Sequence, residues 1–522
     1  MGRIRFCTTK EAANMIPNGV AIGTIGFMLT GAPEEVFLEL EKRFLETGEP
    51  RNLALMWASG VGDGKEVRGI NHLCHEGLIK KVIAGHYGLI PKLVKMVNEN
   101  KIEAYNFPQG VLATMFRDMA AHKPGVLTHV GLGTFADPDY DGGKLNEITK
   151  EDIVEKVDLK GQKYLLYKSQ KIDIAIIRGT EADENGNIGF SKEALRLEAL
   201  PVAMAAKNNG GLVIVQVERL VKNGTIDPRN VVVPGAIVDV VAVVEDKKNH
   251  MQTSGTQFNI DFISGCGAIK EEGVKKIPLD AKKVIARRAA MQLDKSMLIL
   301  NYGIGIPEKV ADVIKEEGLE DNFIATVEPG IYGGTAQGGL NFGSALLPQA
   351  TIDHPYQFDF YDGGGIDITF LGMAQCDPYG SLNVSKFGPK IAGCGGFIDI
   401  SQNAKECVFC GTFTAGGLKT EIVDGELKIL QEGRVKKFIK ELEHITLNGK
   451  FESKKNKKIT IVTERAVFGI KPEGLTLMEI APGVDLEKDI LDQMEFRPII
   501  TESLKIMDER IFKDEPINLK LG

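Results

Sequence analysis

Short unbroken apolar runs alternate along the chain with segments whose apolar positions recur every three or four residues. Two examples of the runs are "GLVIVQVERLV" (211–221) and "IVDVVAVVED" (237–246), which are typical of strands buried on both faces. The segment "APEEVFLELEKRFLETG" (32–48) is instead amphipathic, with Pro33 in its first turn and Gly48 after its end, which predicts a helix. The alternation predicts an α/β fold with largely parallel sheets flanked by helices.

The pattern is interrupted once and then restarts. The segment 246–282 is polar and charged and only weakly periodic, and after it the order helix, strand, glycine turn, helix begins again. A chain of 522 residues is also too long for one ordinary core. We therefore predict an N-terminal half at 1–245, a connecting segment at 246–282 and a C-terminal half at 283–522.

The two halves share a sequence echo. "DIAIIRGTEADENGNIGFS" (173–191) aligns with "DITFLGMAQCDPYGSLNVS" (367–385), and the identical positions, all 194 residues apart, include Asp173 and Asp367, Asp183 and Asp377, Gly186 and Gly380, and Ser191 and Ser385. This repetition predicts two homologous open α/β halves fused in one chain. Upstream of this echo, "HVGLG" (129–133) lies close to the equivalent of "TVEPG" (326–330), which would pair Gly131 with Glu328, so only the second half would carry this carboxylate.

Composition narrows the class of protein. A hydrophobic content of 43% with 26% charged residues is that of a soluble globular protein, and the net charge of -8 argues against nucleic-acid binding. No run of eighteen apolar residues occurs, so no membrane span is expected. Seven scattered cysteines indicate reduced thiols and a cytoplasmic protein. The one C-x-x-C, Cys407 and Cys410, lies in what reads as a buried strand.

A single carboxylate precedes the most glycine-dense stretch of the chain. In "TVEPGIYGGTAQGGLNFG" (326–343), Glu328 stands ahead of six glycines. It could be a solvated turn residue, or a reactive carboxylate where the backbone approaches a ligand closely. A carboxylate in water is a weak nucleophile, and exclusion of water could change that. Further glycine turns in "DGGGID" (362–367) and "AGCGGFID" (392–399) favour a channel built from backbone.

Two other motifs suggest contacts to an anion or a carbonyl. "GIGIPE" (303–308) predicts a strand, a glycine turn and a helix N-terminus, whose N–H groups can hold an oxyanion, although a plain tight turn explains it equally well. Gln109, in "NFPQGV", offers an amide to a carbonyl or carboxylate, or simply caps a turn. No metal-binding motif is present, so no metal site is predicted.

The chain resembles the family I coenzyme A transferases, in particular the single-chain acetate/propionate CoA-transferase group. The resemblance covers essentially the whole chain and rests on the motifs "NGVAIGTIGFMLTGAP", "NFPQGV", "HVGLGTFADP", "NYGIGIPE", "TVEPGIYGG", "DGGGIDITFLGMAQCD", "GSLNVSKFG" and "AGCGGFIDISQNA". The chain departs from the family's N-terminal signature at Ile25-Gly26-Phe27, where two glycines usually precede the phenylalanine.

The resemblance implies the following site. Glu328 would be the catalytic nucleophile that forms a glutamyl-CoA thioester. Gln109, Gly26, Gly303 and Gly305 would contact the substrate or its oxyanion, and Asn383, Gly395 and Gly396 would line the CoA path. Coenzyme A is then substrate and covalent intermediate, with no permanently bound cofactor. The family also implies a homo-oligomer, of which a homotetramer is one form.

The expected activity is ping-pong transfer of CoA between short-chain acids such as acetate and propionate. Two alternatives stay open on the sequence alone. A short-chain acyl-CoA hydrolase would use the same glutamate with water as acceptor, and a non-catalytic CoA-binding regulator would share only the fold.

Overall fold

The computed structural model describes residues 4–265, 277–455 and 457–522. The chain forms two compact units, which we call unit 1 and unit 2. Unit 1 comprises Met1–Ile269, Val327–Asp359 and Gly388–Asp399. Unit 2 comprises Lys270–Thr326, Phe360–Phe387 and Ile400–Gly522. Unit 1 thus includes two segments of the predicted C-terminal half, Glu328 among them. The division at 1–245 and 283–522 stays a prediction about duplication, and part of its connecting segment, 266–276, lies outside the described residues.

Unit 1 is built on an eight-stranded sheet in which every neighbouring pair is parallel. Both apolar runs singled out in the sequence form strands of this sheet, because side chains buried on both faces must be apolar. The strands lie in the order Arg5–Thr8, Val240–Val243, Leu212–Val217, Ile174–Arg178, Ala21–Thr24, Leu53–Trp57, Ile79–Ala84 and Glu103–Asn106.

Helices and small sheets complete unit 1. The helix predicted at 32–48 spans Glu34–Thr47, and Gly48 ends it with a left-handed φ of 75°. The other helices are Thr9–Ala13, Pro91–Asn98, Gln109–Ala120 and Ala199–Asn208, and the helices His354–Asp362 and Phe397–Asn403 begin in this unit. The smaller sheets are formed by Arg219–Val221, Glu181–Asp183, Ile188–Gly189 and Val231–Val233, by Gly125–Thr128, Gln162–Lys168 and Val154–Leu159, and by Thr335–Ala336 with Ala345–Leu346. The strand Ile331–Tyr332 pairs antiparallel with Ala350–Thr351.

Unit 2 has a mixed sheet of its own. Its first five strands are parallel and its later strands include two antiparallel pairs. The strands lie in the order Ile324–Val327, Ile299–Tyr302, Ile368–Gly372, Glu406–Cys410, Lys458–Val462, Ala466–Lys471, Gly474–Ile480 and Ile499–Ile506. The helices are Ala281–Ala290, Glu308–Glu316 and Gly449–Glu452, and short strands pair Gln375–Cys376 with Leu382–Asn383, Thr414–Ala415 with Val435–Lys436, and Lys419–Val423 with Glu426–Gln431. The α/β prediction with largely parallel sheets flanked by helices is confirmed.

The paired aspartates that lie 194 residues apart accept equivalent backbone hydrogen bonds, each within its own unit. Asp173 accepts a backbone hydrogen bond from the start of the neighbouring strand at Ala21, and Asp367 accepts the same kind of bond from Ile299, both at 2.9 Å. One carboxylate oxygen of Asp183 accepts the backbone N–H groups two and four residues ahead, and Asp377 does so in the second unit. This local equivalence is what two homologous halves predict.

The same topology corrects the proposed counterpart of Glu328. Glu328 follows the strand Ile324–Val327, which pairs with Ile299–Tyr302. The equivalent pair in the other unit is Leu53–Trp57 with Ala21–Thr24. When the residues paired across these strands are matched between the units, the position equivalent to Glu328 is Ala58. Gly131 instead follows a strand of the small antiparallel sheet. The pairing of Gly131 with Glu328 was therefore wrong, although the counterpart still lacks a carboxylate.

Two sequence expectations concern features outside the site. Cys407 and Cys410 lie on the fully buried strand Glu406–Cys410, as predicted, and a spacing of three turns their side chains to opposite faces. Cys266 lies outside the described residues. Within the described ranges, no helix is long and apolar enough to cross a membrane.

Candidate active site

The turn that carries Glu328 is fixed by glycine. Glu328 directly follows the strand Ile324–Val327, and the N–H of Gly330 donates to the carbonyl of Val327 at 3.0 Å. Gly330 has a φ of 112°, and a Cβ there would lie 2.0 Å from the carbonyl oxygen of Ile352. Any other residue would push the two chains apart, so the glycine holds Glu328 at one place.

One oxygen of the Glu328 carboxylate is enclosed by the protein. The residue as a whole is half-buried, but its Oε2 atom is buried and has no hydrogen-bond partner among the described residues. Burial raises the pKa of this carboxyl group to about 7, and a hydrogen bond from its own backbone N–H opposes the shift. At neutral pH both the acid and the carboxylate anion are therefore populated.

A second buried carboxylate, Asp399, sits at the N-terminus of the helix Gln109–Ala120. The backbone N–H groups of Gly110 and Val111 favour its ionised form. A Cβ on Gly110 would lie 2.5 Å from Asp399 Oδ1, so only glycine lets the carboxylate come this close to the helix end. The N–H groups and partial positive charge of a helix N-terminus stabilise such an anion.

The two carboxyl groups influence each other's ionisation. Complete burial raises the pKa of Asp399 well above its usual range, and the negative charge of Glu328 raises it further against the opposing backbone N–H groups. Like charges in a shared apolar site resist simultaneous ionisation. The pair therefore tends to hold one proton near neutral pH.

The predicted glycine turn 393–396 packs beside Gln109. The N–H of Gln109 donates to the carbonyl of Gly395 at 3.0 Å, and the N–H of Gly395 donates to the carbonyl of Gly85 at 2.8 Å. Asn106 ties the turn down, since its Oδ1 accepts from the N–H of Cys394 at 2.9 Å. Gly396 completes this buried turn. The structure thus brings together Gln109 and the predicted glycines Gly395 and Gly396.

His86 is a neighbour of this turn that the sequence did not reveal. A Cβ on Gly395 would lie 3.7 Å from Gln109 Oε1 and 4.0 Å from His86 Cδ2, so both side chains flank the same point. Burial lowers the pKa of His86 to about 4, which keeps the imidazole neutral at pH 7. Only its place in "GHYG", after a buried strand, could have drawn attention to it.

Gly26 lies where the loop after Glu328 folds back. Its φ of 153° is a conformation that glycine tolerates, and its carbonyl accepts the hydroxyl of Ser59. The next residue, Phe27, packs on Phe342 with ring centroids 5.6 Å apart. A Cβ on Gly343 would lie 2.4 Å from the Phe27 ring. This contact explains a glycine in the loop, and the predicted substrate contact of Gly26 stays a prediction.

The other predicted residues belong to unit 2. The N–H of Gly303 donates to Phe370 O at 2.8 Å, and Gly305 has a φ of 90° in a turn whose N–H favours the ionised form of Glu308. Asn383 is buried, and its amide donates to Gln375 Oε1 at 2.8 Å and to Lys386 O at 2.6 Å. These bonds account for the three residues structurally, and their predicted ligand contacts stay untested.

The chain thus combines an α/β scaffold with a parallel sheet and a glycine turn that carries a carboxylate with one buried, unpartnered oxygen among the described residues. The family described as "Coenzyme A transferase" matches residues 7–244. The acetate CoA-transferase YdiF of Escherichia coli K12 is 45% identical over 522 residues, covering 100% of this chain and 97% of that protein. The caffeate CoA-transferase of Acetobacterium woodii is 45% identical over 518 residues, covering 98% of each.

A solved structure agrees with these relatives. The acyl-CoA transferase YdiF from Escherichia coli O157:H7, in a thioester complex with CoA, has a TM-score of 0.92 and 43% identity, covering 100% of this chain and 98% of that one. The chain belongs to the family I coenzyme A transferases, and the protein is an enzyme, a CoA-transferase.

Replacing Glu328 by glutamine should change the stability of the protein in a pH-dependent way. The pKa of Glu328 is about 7 in the folded protein, against 4.5 as the ordinary value, so folding disfavours its ionisation. This cost is absent below pH 4.5, grows as pH rises and is complete above 7. At 1.4 kcal/mol per pKa unit, E328Q should gain about 2–3 kcal/mol over the wild type between pH 5 and pH 8.

The stability prediction is checked by thermal or denaturant unfolding at both pH values. E147Q is the control, because Glu147 is an exposed glutamate of the same unit. Equal effects of E328Q at pH 5 and pH 8, or a loss of stability at pH 8, would contradict the burial argument.

Replacing Asp399 by asparagine should remove one ionisation from the pH–rate profile. Asparagine keeps an oxygen for the helix N–H groups but removes the carboxyl group whose pKa is raised by burial and by the Glu328 charge, so the profile should retain the ionisation of Glu328 and lose the second one. The measurement is kcat/KM for CoA transfer between pH 5 and pH 9. D118N serves as a control on the same helix, where Asp118 pairs with Lys123 at 2.7 Å. A D399N profile identical to that of the wild type would show that Asp399 does not titrate in this range.

Proposed function

We propose that the protein moves CoA between short-chain carboxylic acids, such as acetate and propionate, through a glutamyl-CoA thioester on Glu328. The observation that carries the proposal is the Glu328 carboxyl group, whose Oε2 is buried without a hydrogen-bond partner among the described residues and whose pKa burial raises to about 7. Removing water from a carboxylate raises its reactivity toward an electrophile held beside it. A glutamate on a solvated turn would not need this enclosure.

The first half-reaction transfers CoA to the enzyme. A carboxylate oxygen of Glu328 attacks the thioester carbonyl of the donor, and the tetrahedral intermediate expels CoA thiolate to leave a mixed anhydride. The thiolate then attacks the glutamyl carbonyl, which releases the first acid and leaves the glutamyl-CoA thioester. The acid departs with an oxygen atom that came from Glu328.

The second half-reaction runs these steps in reverse with the acceptor acid. Its carboxylate attacks the glutamyl thioester, thiolate leaves and then attacks the acceptor's carbonyl, and Glu328 is regenerated with an oxygen from the acceptor. Each tetrahedral intermediate carries an oxyanion, for which we assign the amide of Gln109 as a hydrogen-bond donor. Removal of one such donor typically costs about 3–4 kcal/mol of transition-state stabilisation.

The residues assigned to the site support this chemistry in different ways. Gly395 leaves an open point between Gln109 and His86, in which an acyl or pantetheine group could lie, and Gly396 continues the same backbone. Asp399 can hold the proton when Glu328 is ionised, which keeps the nucleophile in its reactive form. The ligand roles of Gly26, Gly303, Gly305 and Asn383 remain assignments by resemblance.

The acids themselves are proposed from the family resemblance. Two relatives of equal 45% identity carry names that specify acetate and caffeate. Overall identity therefore does not determine the acid, which must depend on residues near Gln109 and His86. We further propose a cytoplasmic homo-oligomer, on the resemblance alone, which sedimentation of the purified protein would check.

Acetyl-CoA without an acceptor should leave a covalent trace on Glu328. After incubation, borohydride reduces a glutamyl thioester to the alcohol, so the digested peptide containing Glu328 should have exchanged one oxygen for two hydrogens. Mass spectrometry reads this change, and E328Q is the matched control because its amide is isosteric and not nucleophilic. An unmodified wild-type peptide, with acetyl-CoA shown to be bound by equilibrium dialysis, would refute the nucleophile.

The acceptor requirement separates transfer from hydrolysis. With the thioester formed, we expect free acetate formation to remain stoichiometric with enzyme until propionate is added, after which propionyl-CoA appears. Continuous CoA release without any added carboxylate would instead identify water as the acceptor.

A further inference from the structure

Gln109 is the end of a buried chain of three polar side chains. His354 Nε2 lies 2.9 Å from Gln109 Nε2, and His354 Nδ1 lies 2.6 Å from Glu198 Oε2. All three residues belong to unit 1, and they are 3%, 0% and 0% exposed for Gln109, Glu198 and His354. We propose that Glu198 and His354 are positioning residues that hold the Gln109 amide in one orientation toward the substrate. The inference rests on the proposed function of Gln109.

The backbone at Leu197 and Glu198 has features that direct the Glu198 carboxylate toward His354. Glu198 precedes the helix Ala199–Asn208 at the N-cap position, where an acidic side chain usually bonds the helix N–H groups, but no such bond is made. Its carboxylate turns to His354 instead. Leu197, just before it, has a φ of 54°, and its carbonyl accepts the N–H of His354 at 3.1 Å. A bulky residue in this conformation costs free energy and is often found beside functional sites.

The carboxylate fixes the tautomer of the histidine. A carboxylate only accepts hydrogen bonds, so His354 Nδ1 must carry the proton that it donates to Glu198. In the neutral ring Nε2 is then an acceptor, and the Gln109 amide presents its nitrogen to it, which agrees with the arrangement in the structure. An imidazole with hydrogen on Nε2 would repel that N–H and favour the opposite amide orientation.

The orientation of the amide determines what the substrate meets. With one N–H donated to His354, Gln109 has its second N–H and its Oε1 for the site, and Oε1 lies near Gly395. The N–H can then bond a substrate carboxylate or an oxyanion. A rotated amide would direct its oxygen differently and lose this donor, so the chain acts on the reaction through Gln109.

Replacing Glu198 by glutamine tests whether these three side chains act together, because a neutral amide no longer fixes the tautomer of His354. We expect E198Q to lower kcat/KM for the acceptor acid about 10- to 100-fold, counted per enzyme molecule that forms the borohydride-trapped thioester. The decisive comparison is a double-mutant cycle with Q109A. If Glu198 acts only through Gln109, E198Q should cause no further loss in the Q109A background.

The control for a general loss of packing is E41Q. Glu41 contacts His75 at 2.7 Å and also His72, in a second group of Glu and His side chains that includes none of the three chain residues. E41Q should lower stability but leave kcat/KM per active enzyme unchanged. The proposal would be overturned if the reductions in kcat/KM caused by E198Q and by Q109A multiplied in the double mutant. It would also be overturned if E198Q had the same kcat/KM as the wild type.

NMR spectroscopy of the wild-type protein tests the proposal without an activity measurement and without a folded E198Q variant. The wild-type protein labelled with ¹⁵N-histidine should show His354, assigned by its absence in H354Q or by assigning the other seven histidines, as a neutral ring protonated at Nδ1. A His354 ring protonated at Nε2, or at both nitrogens, at pH 7.5 would contradict the proposed hydrogen bonds from Glu198 through His354 to Gln109. If the wild type transferred no CoA at all, the proposed function would be wrong, but the tautomer measurement would still test the hydrogen bonds among Glu198, His354 and Gln109.

Discussion

The site depends on the burial of the Glu328 carboxyl group, whose Oε2 atom has no hydrogen-bond partner among the described residues. An unpaired buried charge is among the most unfavourable groups in a folded protein, and it commonly responds by a shift of its pKa. Here burial brings the pKa to about 7, so the group that we propose as the nucleophile is partly ionised at neutral pH. Much of what surrounds it in unit 1 can be understood as the means to hold that carboxylate in place.

Glycine and backbone supply most of those means. Gly330 lets the turn close against Ile352, and Gly110 lets Asp399 reach the N–H groups of a helix end. These glycines are not interchangeable flexible residues, because a single Cβ would collide with backbone at the first and with a carboxylate at the second. The side chains then act on this backbone frame, with Asp399 sharing the local charge and Gln109 presenting an amide.

Sequence patterns predicted the scaffold and singled out Glu328 as the candidate nucleophile, but they did not reveal Glu198 and His354. Buried strands, the helix at 32–48 and the positions repeated at 194 residues follow from local periodicity and turn chemistry, which a sequence displays directly. Glu328 and Gln109 stood out beside glycine turns. Glu198 and His354 did not, because 156 residues separate them and only the fold brings them to one chain. The counterpart of Glu328 was misplaced for a related reason, since strand order in the sheet, rather than a short motif, decides the equivalence.

The most direct test of the account follows an oxygen atom. If Glu328 carries CoA as a glutamyl thioester, each turnover gives its carboxyl group one oxygen from the acceptor acid. The enzyme would turn over acetyl-CoA with ¹⁸O-labelled propionate in ordinary water, and the peptide containing Glu328 would be weighed after digestion. The account predicts ¹⁸O in that peptide and in no other. An unlabelled Glu328 peptide after measured propionyl-CoA formation would contradict it, because CoA would then have moved without bonding to this carboxylate.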